Sequence, residues 1–204
     1  MTTLKPRAVL FDLDGVLLDS IDAWHGTFND VLEHYGKKRI SKKTFLDDVL
    51  GKPIEEDSKH FPGSTPEGIR KLYIRFFPKN ACNIKPYEGA IKLLQNLRKK
   101  GIKTALVTNT PRKLTESSLK ASGLAGMLDV VKTPDDVPAG KPDPAMLLSA
   151  MKELCAGIDE SIMVGDTIVD VQAARNAGVK VVGIGVQGDM QIKHIREMEK
   201  LLGL

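Results

Sequence analysis

From residue 87 onward, short β-prone runs alternate with amphipathic helical stretches, and that alternation leaves few folds open. Gly89 to Lys100 has apolar residues at helical spacing and is closed by Gly101; Lys103 to Val107 follows as a β-like run. Lys113 to Ser122 reads as a helix stopped by Gly123, before a short strand at Leu128 to Val131. Pro144 to Leu154 precedes a strand at Ile162 to Val164, and Val169 to Ala177 precedes one at Val179 to Ile184. Near the N-terminus stands one more apolar run, Val9-Leu10-Phe11. Strands separated by helices cannot pair through tight hairpins, so neighbours run parallel and the helices cover both faces. The expected fold is α/β, a doubly wound parallel Rossmann-like sheet.

Residues 18 to 84 break the alternation and carry no convincing strand. Ile21, Trp24, Phe28, Val31, Leu32 and Tyr35 recur at helical spacing before Gly36. Ser41 can cap a short helix bearing Phe45, Leu46, Val49 and Leu50, and Thr65-Pro66-Glu67 starts another that could run to Phe77. The expectation is a small helical bundle inserted in a core made of residues 1–17 and 85–204.

The chemistry gathers at strand ends. Asp12 and Asp14 stand where the first strand turns at Gly15, both aimed at one space. Carboxylates that close repel each other unless a cation or a shared proton neutralises them, and an all-oxygen site suits a hard divalent metal such as Mg2+. Asp12-Leu13-Asp14-Gly15 alone also fits a turn with solvated acids. Three further segments tip the balance: Thr108-Asn109-Thr110 at another strand end, Lys141 within Gly140-Lys141-Pro142-Asp143-Pro144, and Gly165-Asp166-Thr167-Ile168-Val169-Asp170. Hydroxyls, a cation and more acids at carboxyl ends of parallel strands converge on the crevice where open α/β sheets bind ligands.

These four segments, in this order across essentially the whole chain, resemble the signature of the haloacid dehalogenase superfamily. Asp12 through Ser20 matches its first motif, Thr108 the second, Lys141 the third, and Asp166 with Asp170 the fourth. One departure is Val16, where many phosphatases of the family have Thr. The resemblance implies that Asp12 attacks a phosphate ester while Asp14 serves as general acid and then base. It implies Mg2+ held by Asp12, Asp166 and the backbone carbonyl of Asp14, with Asp170 ordering a metal-bound water or pairing with Lys141. Thr108, Asn109 and Lys141 would bind the phosphoryl group, and the helical insertion becomes a cap whose Lys52 faces the site and selects the substrate.

Within the family, Asp14 argues against dehalogenase and phosphonate-cleaving branches. A β-phosphoglucomutase-like phosphomutase shares all four motifs but has a histidine on the first cap helix; here Trp24 stands at that position, with His25 one residue on. A binding module on the same fold would normally lack a charged motif residue, and all are present. The expected activity is hydrolysis of a small phosphorylated metabolite, in the manner of phosphoglycolate phosphatase.

Composition removes other classes. Aromatics are 5% of residues, too few for a base-stacking platform, so no nucleic-acid partner is expected; the net charge of +4 suits anionic substrates. No apolar run approaches the roughly 20 residues needed to cross a membrane. The N-terminus enters the first strand without a secretory signal, and Cys82 and Cys155 lie far apart as ordinary thiols, both pointing to a cytoplasmic protein.

Overall fold

The structure is a computed structural model that describes residues 4–50 and 54–204. Its elements in chain order are β1 (Ala8–Phe11), β2 (Leu18–Asp19), α1 (Ile21–His34), α2 (Lys42–Asp48), a 3-10 helix at Ile54–His60, α3 (Pro66–Asn80) and β3 (Lys85–Pro86). There follow α4 (Ala90–Lys99), β4 (Lys103–Val107), α5 (Arg112–Ser122), β5 (Val130–Lys132), α6 (Ala145–Leu154), β6 (Ser161–Gly165), α7 (Ile168–Asn176), β7 (Lys180–Ile184), β8 (Met190–Ile192) and α8 (Met198–Leu202). The chain divides into two compact units, residues 1–19 with 85–204, and residues 20–84.

The first unit is built on a six-stranded sheet in the order β5-β4-β1-β6-β7-β8, every pair parallel. Counting only these strands along the chain, the spatial order is 3-2-1-4-5-6, the doubly wound Rossmann arrangement. A strand covered on both faces must be apolar throughout rather than alternating, and all four residues of β1 are fully buried. Leu10, Ala105, Val107, Met163 and Val181 from the strands share one core with Met146, Ala150, Val171 and Ala174 from α6 and α7.

The second unit is helical, as the 3.6-residue periodicity implies. Ser41 caps α2 by accepting the Thr44 N–H at 3.1 Å, and Thr65 caps α3 by accepting the Gly68 N–H at 3.1 Å, with Pro66 in the first turn. Trp24 packs on Tyr73 and Phe77 (ring centroids 6.0 and 4.6 Å away), while Phe28 meets Phe45 and Phe61.

Three expectations are corrected. Residues 18 and 19, read as free of strand, form β2, which pairs antiparallel with β3 (Leu18 opposite Pro86, Asp19 opposite Lys85). Two residues are too few to show a period, so only the partner reveals them. The helix expected to stop at Phe77 runs through Pro78 to Asn80; so near its end the proline deletes one bond, and the ladder resumes with Ala81 N–H to the Phe77 carbonyl. The strand placed at Leu128 to Val131 lies at Val130–Lys132. Among the described residues no helix is long and apolar enough to cross a membrane, and both cysteines are exposed and unbridged.

Candidate active site

The polar groups singled out in the sequence leave the carboxyl ends of neighbouring strands. β1 lies between β4 and β6, with Phe11 opposite both Leu106 and Val164, so the turns after all three strands emerge side by side. Asp12 extends the pairing, its N–H bonding the Val164 carbonyl at 3.0 Å, and its side chain is buried. The chain then turns at Gly15, which has φ +83; a Cβ there would lie 1.9 Å from Asp166 Oδ2. Only glycine lets the first turn pass against Asp166.

Lys141 reaches this point from the loop before α6. Its buried ammonium donates to Asp12 Oδ1 at 2.7 Å and to Asp170 Oδ1 at 2.6 Å. The other oxygen of Asp170 accepts the Thr167 N–H at 3.0 Å and the Thr167 hydroxyl at 2.6 Å, a capping box at the start of α7. Asp170 is therefore both the helix N-terminal acid and the partner of Lys141. The lysine loop is tied down by Asn109, whose Oδ1 accepts the Lys141 N–H at 2.8 Å while its Nδ2 donates to the Lys141 carbonyl at 2.9 Å. A Cβ on Gly140 would stand 2.7 Å from Asn109 Oδ1, so the clamp needs glycine there as well.

Charge is unevenly matched. Asp12, Asp14, Asp166 and Asp170 bring four acids to the carboxyl ends of β1 and β6, and Lys141 bonds Asp12 and Asp170 among them. Burial above all, then the charge of Asp170, pushes the Asp12 carboxyl up to about 8 against the pull of Lys141. Burial and then Asp170 likewise push Asp166 up to about 7. Lys141 is held above its ordinary value: burial works against its charge, but Asp12 and Asp170 outweigh it.

These residues fit a divalent cation. Asp12, Asp166 and Asp170 each offer an oxygen within 4.8 Å of the others, and Asp166 Oδ1 is buried without a hydrogen-bond partner. An all-carboxylate set with an orphaned oxygen and excess negative charge suits a hard ion such as Mg2+.

A test by stability follows. The folded-state values of Asp12 and Asp166 lie above the ordinary carboxyl range, so the folded chain binds more protons than the unfolded one between about pH 4 and 8. Their contribution to stability is present at low pH and lost as pH rises through that window. In chelator, the melting temperature should fall by about 5 °C or more from pH 5 to 8.5. Mg2+ should raise it more at pH 8.5 than at pH 5, since protons and metal compete for the same oxygens. A melting temperature in chelator that stays level or climbs across that range would refute this account of the charge.

Thr108 is buried at the exit of β4, and its hydroxyl oxygen accepts the Thr110 N–H at 3.1 Å. The carboxyl of Asp14 is not in the three-acid set; its Oδ2 accepts the Thr110 hydroxyl at 2.9 Å. Asn109, expected to help bind a phosphoryl group, gives one amide hydrogen and its oxygen to the Lys141 backbone. Lys52 lies outside the described residues. His25 sits in the helical unit with Nε2 2.9 Å from the Ile40 carbonyl and 2.8 Å from Asn29 Nδ2, both within that unit. Two residues were given no role of their own from the sequence, Thr110 and Tyr87. The phenol of Tyr87 is kept above its ordinary value by burial, then by the charges of Asp19, Asp166 and Asp14. Thr110 could have been suspected from its place in a hydroxyl-rich strand end; Tyr87 carried no local signal.

A profile of the haloacid dehalogenase-like hydrolases matches residues 9–184. A relative named pyrophosphatase PpaX, from Halalkalibacterium halodurans, is 32% identical over 213 residues, covering 98% of this chain and 97% of its own length. Among solved structures, CbbY from Rhodobacter sphaeroides in complex with phosphate superposes with a TM-score of 0.86 over 98% of this chain and 100% of its own. At 19% identity that likeness concerns the fold alone. A haloacid dehalogenase-superfamily hydrolase from Geobacter sulfurreducens gives 0.78 at 25% identity, covering both chains fully (100% of each).

Proposed function

The chain belongs to the haloacid dehalogenase-like hydrolase family and is a phosphatase of that kind; we propose that it hydrolyses a small phosphate monoester with Mg2+ through a phosphorylated Asp12. The observation that carries the reading is the buried Asp12–Lys141–Asp170 arrangement beside an orphaned Asp166 oxygen.

Lys141 holds Asp12 Oδ1, leaving the other oxygen to attack phosphorus in line as the bond to the leaving oxygen breaks. Asp12 and Asp166, with the Asp14 carbonyl and with Asp170 close by, would hold Mg2+, which would supply the positive charge that lets an anionic nucleophile approach an anionic ester. Thr108 accepts the Thr110 N–H at its oxygen, so its own proton is left to donate to the phosphoryl group. Asp14 gives a proton to the leaving oxygen, then takes one from the water that hydrolyses the phosphorylated Asp12. Asn109 serves by fixing Lys141 rather than by touching phosphate with its amide.

Substrate choice is open to two readings on the same chemistry. A carboxylate-bearing ester such as phosphoglycolate follows from the motif resemblance. Pyrophosphate is favoured by the name of the 32% identical relative and changes only the leaving group. A sugar phosphomutase is disfavoured by His25, whose Nε2 is engaged with Ile40. Hydrolysis rates over a panel of phosphate esters, sugar phosphates and pyrophosphate with Mg2+ test the reading; no phosphate release from any of them would end it. Lys52→Ala should lower kcat/KM for phosphoglycolate several-fold more than for phenyl phosphate, and equal losses would remove Lys52 from substrate selection.

A further inference from the structure

We propose that Thr110 is the residue that positions Asp14 as the leaving-group acid; this rests on the phosphatase reading above. The hydroxyl of Thr110 donates to Asp14 Oδ2 at 2.9 Å, joining the turn after β4 to the turn after β1. Thr110 is itself held from both sides. Its N–H goes to the Thr108 hydroxyl at 3.1 Å, and its carbonyl accepts the hydroxyl of fully buried Thr115 at 3.0 Å. Pro111 follows, restricting Thr110 to extended backbone, and the branched β-carbon narrows its χ1. A buried side chain with this little freedom fixes the direction of the bond it makes.

Val16, two residues on from Asp14, is buried and offers it no polar group. With Oδ2 held by Thr110, the proton that Asp14 gives to the ester oxygen is carried on Oδ1. The Thr110 hydroxyl donates to Oδ2 whether Asp14 is a carboxylate or carries its proton on Oδ1, so the contact survives both halves of the cycle. In the first, Asp14 loses its proton to the departing oxygen as the P–O bond breaks; in the second, it regains one from water as the new P–O bond forms. The three residues of the loop thus divide their tasks: Thr108 toward phosphate, Asn109 toward Lys141, Thr110 toward Asp14.

The experiment reads leaving-group dependence. General acid help is needed for a poor leaving group such as an alkoxide and much less for 4-nitrophenolate. Because kcat/KM stops at the first irreversible step, it reports departure of the alcohol and not hydrolysis of the enzyme intermediate. In Thr110→Val, nearly isosteric but without the hydroxyl, the ratio of kcat/KM for an alkyl phosphate to that for 4-nitrophenyl phosphate should fall about tenfold. Thr110→Ser, which keeps the hydroxyl, should restore the ratio to within about threefold. Melting curves of both variants establish that each is folded. Equal losses on the two esters, or a serine variant no better than valine, would overturn the assignment. A wild-type protein inactive on both esters would instead overturn the phosphatase reading, so the two failures are separable.

Discussion

Asp12→Asn is expected to fold normally and to lose at least about a thousandfold in kcat, the largest effect of any single substitution in this chain. The amide keeps the volume of the carboxyl but has no oxygen nucleophilic enough to attack phosphorus. Phosphate release from 4-nitrophenyl phosphate is the measurement, and a variant retaining more than about 1% of wild-type turnover would dismiss Asp12 as nucleophile. A second readout has the opposite sign. Asp12 is a buried acid pushed up to about 8 by burial and by Asp170, so removing its charge relieves the site. In chelator at pH 8 the variant should therefore melt no lower than wild type, although it is inert. Inactivity through misfolding would show the reverse.

Lys141→Ala should damage both properties together. Lys141 is bonded to Asp12 at 2.7 Å and Asp170 at 2.6 Å, with all three side chains buried. Taking one partner from a buried charge pair costs about 3–5 kcal/mol because the remaining charge is left unmatched. For a chain of 204 residues that corresponds to a melting temperature lower by about 10 °C in chelator. The value of kcat/KM should fall by about a thousandfold, since the nucleophile loses its orientation and the phosphate a nearby cation. Lys141→Arg should rescue little: a planar fork cannot reproduce a point charge shared by two carboxylates. Retention of catalytic efficiency within a few-fold in Lys141→Ala would reduce Lys141 to a loop residue.

What could be read in the sequence, and what could not, divides by physical range. β1, β4, β6 and β7 are runs of apolar residues long enough to stand out, and each ends where a glycine, hydroxyl or acid changes the pattern. Asp12, Asp14, Thr108 and Asp166 were visible because their residue types are abrupt at those ends, and Lys141 because it stands in a Pro/Gly loop before a helix. β2, β3 and β8 were not: two or three residues carry no period, and only partners define them. Asn109 was visible as a polar residue at the right place, yet its bonds to Lys141 were not, since the direction of an amide depends on which loop meets it. Gly140 makes room for that meeting 31 positions away in the chain. Thr110 shows the same limit, as nothing adjacent to it announces Asp14.

The β2–β3 ribbon has a consequence for how such a chain can change. Leu18 faces Pro86 and Asp19 faces Lys85, so the points where the helical unit departs and returns are held one strand spacing apart, about 5 Å. A tight turn would close the same gap. The helical unit therefore behaves as a graft on a hairpin: it can lengthen, shrink or be exchanged without moving β1, β4 or β6, whose turns carry the acids and the hydroxyls. The sheet and its turns can then stay fixed while the inserted residues vary, so two parts of one polypeptide can diverge at different rates.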